Sequence, residues 1–342
     1  MKKKIKAGSA LLCFILAFVL ALHFVTGLLM TGKTGVSKNI RDFYKIEENS
    51  LDVLILGDSS TYRSMNPALL WHEGKLTSYV LGAPQARVYA LSYLLEDAFK
   101  RQSPKVVVLE VNAMFEDHPY SVGNMRKIID HMPLSKNKIK MIFDPTFHFD
   151  NTQKLSLLMP ITFYKNRYQE ITKKEFENYL HPSKETLNGY VFSDKIKAYT
   201  GRSDYMMKEE DCKLSDVSIA YLEKIKALCD EHHASLVLVK VPGAREWNKS
   251  KKESIVHLAN TLSLPYLDMN DHTIDAIHWN EDTNDKGVHL NVYGSMKVTS
   301  TLLAYLREQY VFDHQHSKEV EAKYHHIYEY FVSKLINNKD VV

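Results

Sequence analysis

The chain has 342 residues, 45% of them hydrophobic and 25% charged, an ordinary globular composition that excludes a mainly disordered or collagenous protein. Lysine and arginine number 44 against 41 acids, but Lys2, Lys3, Lys4, Lys6 and Lys33 fall in the first 34 residues, where no acid occurs. The remainder, 39 basic against 41 acidic residues, carries −2, which argues against a nucleic-acid binder that draws its affinity from a basic face.

Residues 7–30 (AGSALLCFILAFVLALHFVTGLLM) contain no Asp, Glu, Lys or Arg. As a helix they would reach about 36 Å, beyond the roughly 30 Å of a bilayer core. The basic start KKKIK precedes the run and only Lys33 closely follows, so the positive-inside rule predicts a single-pass anchor with its amino terminus in the cytoplasm and the rest outside. A cleaved signal peptide would have a shorter apolar stretch ending at small residues, and no clear A-x-A site ends this one. A buried core helix is the weakest reading, because the run is uninterrupted behind a basic start. His23 falls near the outer interface. Of the three cysteines, Cys13 lies in this run, and Cys212 and Cys229 can pair only if the fold brings their Cα atoms within bonding range. No C-x-x-C spacing suggests zinc.

After a polar linker, 35–50, the run 51–57 (LDVLILG) has strand length and ends in glycine. Further runs at 79–82, 105–111 and 236–241 are nearly continuous in apolar residues, as buried parallel strands are when helices cover both faces, and 266–268 is a weaker fifth. Helical patterns lie at 85–102, 217–232, 250–261 and 292–310. This alternation predicts an α/β fold with a doubly wound parallel sheet. The rhythm breaks once, where about a hundred residues separate the third strand from the fourth, far beyond ordinary connections. Residues 118–214 read as an inserted helical cap between the two parts of the α/β domain, 51–117 and 215–312. Helix-like stretches at 136–143 and 162–179 are broken by Pro133, Pro145, Pro160 and Pro182. The cap tyrosines Tyr164, Tyr168, Tyr179, Tyr190, Tyr199 and Tyr205 could stack on sugars, although tyrosines at helical spacing are more often packing residues with a wet hydroxyl. The tail, 313–342, is charged and helical at 318–336, with Tyr324, Ile327, Tyr328 and Phe331 on one stripe expected to pack on the body.

In a parallel sheet the residues that do chemistry collect past the carboxyl ends of the strands. Here these are Gly57-Asp58-Ser59-Ser60, then Gly82-Ala83-Pro84-Gln85, then Glu110-Val111-Asn112. Serine becomes a nucleophile only if a base reaches it. Late in the chain Asp285-Lys286-Gly287-Val288-His289 supplies a histidine with an aspartate four residues before it, an arrangement able to fix the ring tautomer and leave the other nitrogen free as base. The plain alternative is a turn or helix cap, in which Asp58 or Ser59 accepts from backbone N–H groups.

Taken together, these blocks resemble the SGNH (GDSL-like) hydrolase family, and in particular its membrane-anchored Gram-positive members. The likeness runs over roughly residues 50–310 outside the cap. It rests on LILGDSSTY at 54–62, NPALLW at 66–71, GAPQ at 82–85, PKVVVLE at 104–110 and DTNDKGVHLNVYG at 282–294. The resemblance implies a flavodoxin-like three-layer sandwich with Ser59 as nucleophile, His289 as base and Asp285 as its partner. It implies oxyanion donors from the Ser59 and Gly82 N–H groups and the Asn112 side chain. Two departures stand out. The usual third block, Gly-x-Asn-Asp, has no glycine here, and loss of one oxyanion donor commonly costs about 100-fold to 1000-fold in rate. The usual Asp-x-x-His is longer by one residue, which makes Asp282 a rival partner for His289. Glu110 is either part of the site or a structural acid held by Arg63 or a backbone N–H.

The resemblance further implies acyl chemistry on a surface glycan or cell-wall polymer, with O-acetylation favoured over D-alanylation, beside a multispanning membrane acyltransferase. An esterase or deacetylase, or a non-catalytic glycan-binding accessory, are the alternatives. The pairs His232-His233, His325-His326 and Asp271-His272 lack a zinc-binding i, i+4 spacing, and no phosphate-loop or Gly-x-Gly-x-x-Gly motif implies a nucleotide cofactor. No cofactor is expected.

Overall fold

The computed structural model describes residues 2–30, 36, 38–115, 121–201, 212, 214–273, 276–313 and 315–339. The predicted strands form one all-parallel sheet: β1 (Val53–Gly57), β2 (Ser78–Gly82), β3 (Val106–Glu110), β4 (Ser235–Lys240) and β5 (Tyr266–Asp268), in the order β2-β1-β3-β4-β5. The apolar helix α1 (Lys2–Met30) and α2 (Lys38–Phe43) come before the sheet. α3 (Ser59–Ser64) and α4 (Pro67–Gly74) connect β1 to β2, and α5 (Val88–Ala98) connects β2 to β3. Between β3 and β4 lie α6 (Val122–Ile129), α7 (Lys136–Phe143), α8 (Asn151–Leu158), α9 (Ile161–Tyr164), α10 (Lys173–Leu180) and α11 (Asp216–Glu231). α12 (Lys249–Leu262) joins β4 to β5, and α13 (Met269–Thr273), α14 (Val292–Gln309) and α15 (Lys318–Lys339) follow.

The strands read as continuous apolar runs because both sheet faces are covered. Val53, Ile55, Val106, Val108, Val237 and Val239 share one core cluster with Leu70 of α4 and Val298, Leu302 and Leu306 of α14. Strand alternation turns the equally buried Leu54, Leu56, Val107, Leu109 and Leu238 to the opposite face, and α5 and α11 pack together there. Each such side chain stabilises the fold by about 1.5–3 kcal/mol relative to exposure.

Residues 162–179 do not form the single helix predicted. They divide into α9, a 3-10 turn at Lys165–Gln169, and α10. The break has a local cause: Thr172 accepts from the Glu175 N–H (3.1 Å) while Glu175 accepts from the Thr172 N–H (2.9 Å), a capping box that starts a new helix. The tail follows its stripe, with Tyr324, Ile327 and Phe331 buried and Tyr328 stacked on His72 at 3.7 Å. No disulfide joins Cys13, Cys212 or Cys229.

The chain divides into two compact units, 1–35 with 148–184, and 36–147 with 185–342. The second holds the whole sheet. In the first, α1 packs against α9, α10 and the Lys165–Gln169 turn, and its Gly8–Met30 stretch is long and apolar enough to cross a membrane.

Where the chain returns from the insertion it lies along β2. The Val80 N–H donates to the Asn188 carbonyl (2.9 Å), and Asn39 Nδ2 donates to the Gly189 carbonyl (2.7 Å). Gly189 has φ +89°, and a Cβ there would come 1.9 Å from the Val80 carbonyl oxygen. Gly189→Ala should therefore destabilise by about 2–3 kcal/mol, the cost of a left-handed alanine plus a backbone shift. Gly123→Ala, with only Ser121 Oγ near, should be neutral or stabilising by up to about 1 kcal/mol. Urea midpoints of the two variants check this pair, and equal midpoints would contradict it.

Candidate active site

The carboxyl end of β1 delivers the serine. Asp58 has an extended backbone and caps α3 by accepting from the Ser60 N–H (2.8 Å) and the Ser60 hydroxyl (2.5 Å), which puts Ser59 at the first position of the helix. The cap expected as the plain alternative therefore exists, but it is made by Asp58 and leaves the Ser59 hydroxyl for another partner. Gly57 and Gly82 stand opposite each other at the ends of β1 and β2, so close that a Cβ on Gly82 would lie 2.3 Å from the Gly57 carbonyl oxygen.

The histidine comes from a tight loop. Thr283 and Leu290 pair across it, the Thr283 hydroxyl accepts from the Gly287 N–H (2.8 Å) and donates to the His289 carbonyl (2.9 Å), and Lys286 and Gly287 both take left-handed backbone, φ 68° and 89°. Those two residues turn the loop and fold Asp285 back onto the ring. Residues returning from the insertion brace the loop: the Lys197 N–H donates to the Thr283 carbonyl (2.9 Å) and the Lys286 N–H to the Lys197 carbonyl (3.0 Å).

The result is a linear relay. Ser59 Oγ lies 2.8 Å from His289 Nε2, and His289 Nδ1 lies 2.5 Å from Asp285 Oδ2. The His289 backbone N–H also donates to Asp285 Oδ1 at 2.7 Å. Burial alone would raise the Asp285 carboxyl, but the hydrogen bonds from the His289 ring and backbone outweigh it and hold this acid below the usual carboxylate range. Asp282, the rival, is engaged elsewhere: its Oδ2 accepts from Lys297 Nζ and from the His278 N–H, both at 2.6 Å.

Beside Ser59 and His289 lies a cleft of about 130 Å³, walled also by Asp58, Asn112, Gln85, Ala86, Arg87, Phe115, Glu246 and Val288. Gly82 is not among its walls; residues 85–87, just beyond, take that side. Asn112 stands in the 3-10 turn Val111–Met114, where Nδ2 donates to Asp58 Oδ2 (2.8 Å). One of its two amide hydrogens is thus committed to Asp58.

Glu110 lies beneath this layer, fully buried. It accepts from the Asn112 N–H (3.0 Å) and from Lys240 Nζ (2.8 Å). The backbone N–H expected to hold it is present, but Arg63 is not its cation; Arg63 donates to the Val191 carbonyl instead (3.5 Å). Burial, with Asp58 nearby, pushes the Glu110 carboxyl up to about 7 against the opposing pull of Lys240. The signal for Lys240 was one charge in an otherwise apolar strand, LVLVKV, at the end of β4 where site residues gather. Arg87 and Glu246 carry no comparable mark.

None of the described cap tyrosines lines the cleft. Tyr190 is buried, Tyr199 packs edge-on to Trp279, and Tyr179 packs against Phe24; Tyr205 lies outside the described residues. The side chain of His272 also lies outside them, while His325 and His326 pair with Glu329 and Glu185. Compared with known proteins, the chain matches no family model, and no characterised sequence aligns with it significantly.

Proposed function

We propose that the chain is a membrane-anchored SGNH-type serine acyltransferase, acting outside the cell on a surface glycan or cell-wall polymer, with O-acetylation as its reaction. The observation that carries this reading is the Ser59–His289–Asp285 relay, with separations of 2.8 and 2.5 Å. The strand order 2-1-3-4-5, with the relay past the ends of the strands where ligands of such sheets bind, supports the flavodoxin-like assignment.

In this reading Ser59 Oγ attacks the carbonyl carbon of an acyl donor while its proton passes to His289 Nε2. Asp285 holds Nδ1–H and stabilises the imidazolium that forms. The proton then goes to the departing group, leaving an acyl-serine. A sugar hydroxyl next gives its proton to His289 and takes the acyl group, restoring Ser59. The Ser59 N–H and the second amide hydrogen of Asn112, both at the cleft, are the proposed oxyanion donors; Gly82, which does not wall the cleft, is not included. The cleft beside the relay, about 130 Å³, has room for a small acyl group next to Ser59 Oγ. The basic start before α1 orients the catalytic unit outward, where a multispanning acyltransferase is the proposed source of acyl groups.

A fluorophosphonate probe should label the native chain and fail to label Ser59→Ala. Absence of labelling on the native chain would move the reading to a non-catalytic glycan-binding accessory, for which the missing third-block glycine and the tie between Asn112 and Asp58 speak. Transfer is separated from plain deacetylation by adding glycan acceptor. Faster consumption of acyl donor, with acyl appearing on the sugar, is expected; indifference to acceptor would make the protein a carbohydrate esterase.

A further inference from the structure

We infer that residues 148–184 form a membrane-interface element, in which α8, α9 and α10 lie in the leaflet at the carboxyl end of α1 with their exposed apolar side chains at the boundary between acyl chains and headgroups. The inference rests on α1 spanning the bilayer. It begins with a shortage of core. Of these residues only Phe149, Leu157 and Arg167 are buried, whereas Leu155 is 53% exposed, Phe163 57% and Leu180 46%, with Met159 and Phe176 exposed as well. A segment that buries so little apolar surface does not offset its own ordering entropy in water, and an apolar surface of this kind marks a contact with something else.

Position identifies the contact as lipid. The segment meets α1 near its carboxyl end: Tyr179 packs edge-on to Phe24 at 5.2 Å and lies over Gly27, and Arg167 donates to the Leu29 carbonyl. Residues 24–30 cover about 9 Å of helix, and interfacial helices sit about 5–10 Å into the boundary region. The apolar side chains of the segment are therefore continuous with the exposed Phe24 and Val25 of the span itself. Leu155 and Met159, like Phe176 and Leu180, recur at i, i+4 and so form stripes, while Lys154, Lys165, Lys173 and Lys174 supply the cations that such helices offer to anionic headgroups. Arg167 serves this setting. It donates to a last-turn carbonyl of α1 at a depth where water is scarce, and its charge is matched by Glu175 at 2.6 Å and Glu170 at 3.5 Å.

The test uses the full chain in phosphatidylcholine–phosphatidylglycerol liposomes containing a phospholipid with a diazirine near the headgroup end of its acyl chain. After photolysis, peptides spanning 155–163 and 176–180 should carry lipid adducts alongside those of α1. The triple variant Phe163→Glu, Phe176→Glu, Leu180→Glu changes only exposed positions and should lower adduct yield outside α1 by about tenfold or more, with α1 labelling unchanged. Adducts confined to α1 in the native chain would overturn the inference and give the surface to solvent or to a protein partner. Absence of adducts from α1 too would remove the anchor on which it rests. Neither result bears on Ser59 labelling, so the catalytic reading is tested apart.

Discussion

His289→Ala should lower kcat/KM for acyl release from p-nitrophenyl acetate by about 10⁴-fold or more, and Asp285→Asn by about 10⁴-fold, whereas Asp282→Asn should leave it within about twofold. The three changes separate roles that the spacing alone confuses. Removing the imidazole leaves Ser59 with no base at its 2.8 Å partner position. The asparagine at 285 keeps the size of the side chain but loses the charge that holds Nδ1–H, so the ring can settle in the wrong tautomer. Asp282 is the buried partner of Lys297 and the His278 N–H, so its loss falls on stability, by about 1–3 kcal/mol, through the weakening of the charge-assisted hydrogen bonds its carboxylate accepts. Steady-state rates with urea midpoints on the same preparations decide the matter. Equal loss of activity in Asp282→Asn and Asp285→Asn, with folding intact, would assign the orienting role to neither.

What made the site readable was its position relative to the sheet. Buried strands are written as unbroken apolar runs, so their ends could be found, and Ser59, Glu110 and Asn112 stand at those ends. His289 was readable because it just precedes a long amphipathic helix. The choice between Asp282 and Asp285 was not, since it is made by left-handed backbone at Lys286 and Gly287 and by Lys297 on α14, neither of which a spacing encodes. The cation for Glu110 was misread for a similar reason: Arg63 is near Glu110 in topology, but the lysine that reaches it arrives on β4, 130 residues further along the chain. The interruption of 162–179 was written in the sequence as Thr172-Lys173-Lys174-Glu175, a capping signal inside what looks like one apolar period. The packing of 148–184 on α1 depends on contacts such as Arg167 to Leu29, 138 residues apart, which no local pattern announces.

Lys240→Met should destabilise the chain by about 3–5 kcal/mol at about pH 8.5 and by much less at about pH 5. Glu110 and Lys240 are both buried and 2.8 Å apart, so removing the ammonium leaves a carboxylate beneath the site with no counter-charge. The direction with pH follows from the carboxyl. Its ordinary value of 4.5 is raised to about 7 in the folded chain, chiefly by burial, and Lys240 is the leading influence that opposes the rise. An acid raised in this way favours the folded state fully below its unfolded value and loses that contribution as pH climbs through the folded value. Without Lys240 the folded value climbs further, so the variant goes on losing stability above about pH 7, where the native chain has levelled off. Adding Glu110→Gln should recover most of the loss at high pH, because the amide still accepts from the Asn112 N–H and no charge is left to bury. Urea midpoints of the single and double variants at the two pH values measure this directly. A penalty that is the same at both, or that Glu110→Gln fails to relieve, would mean that Lys240 supports the end of β4 through packing against Trp247, 5.1 Å from its ammonium, and not by neutralising Glu110.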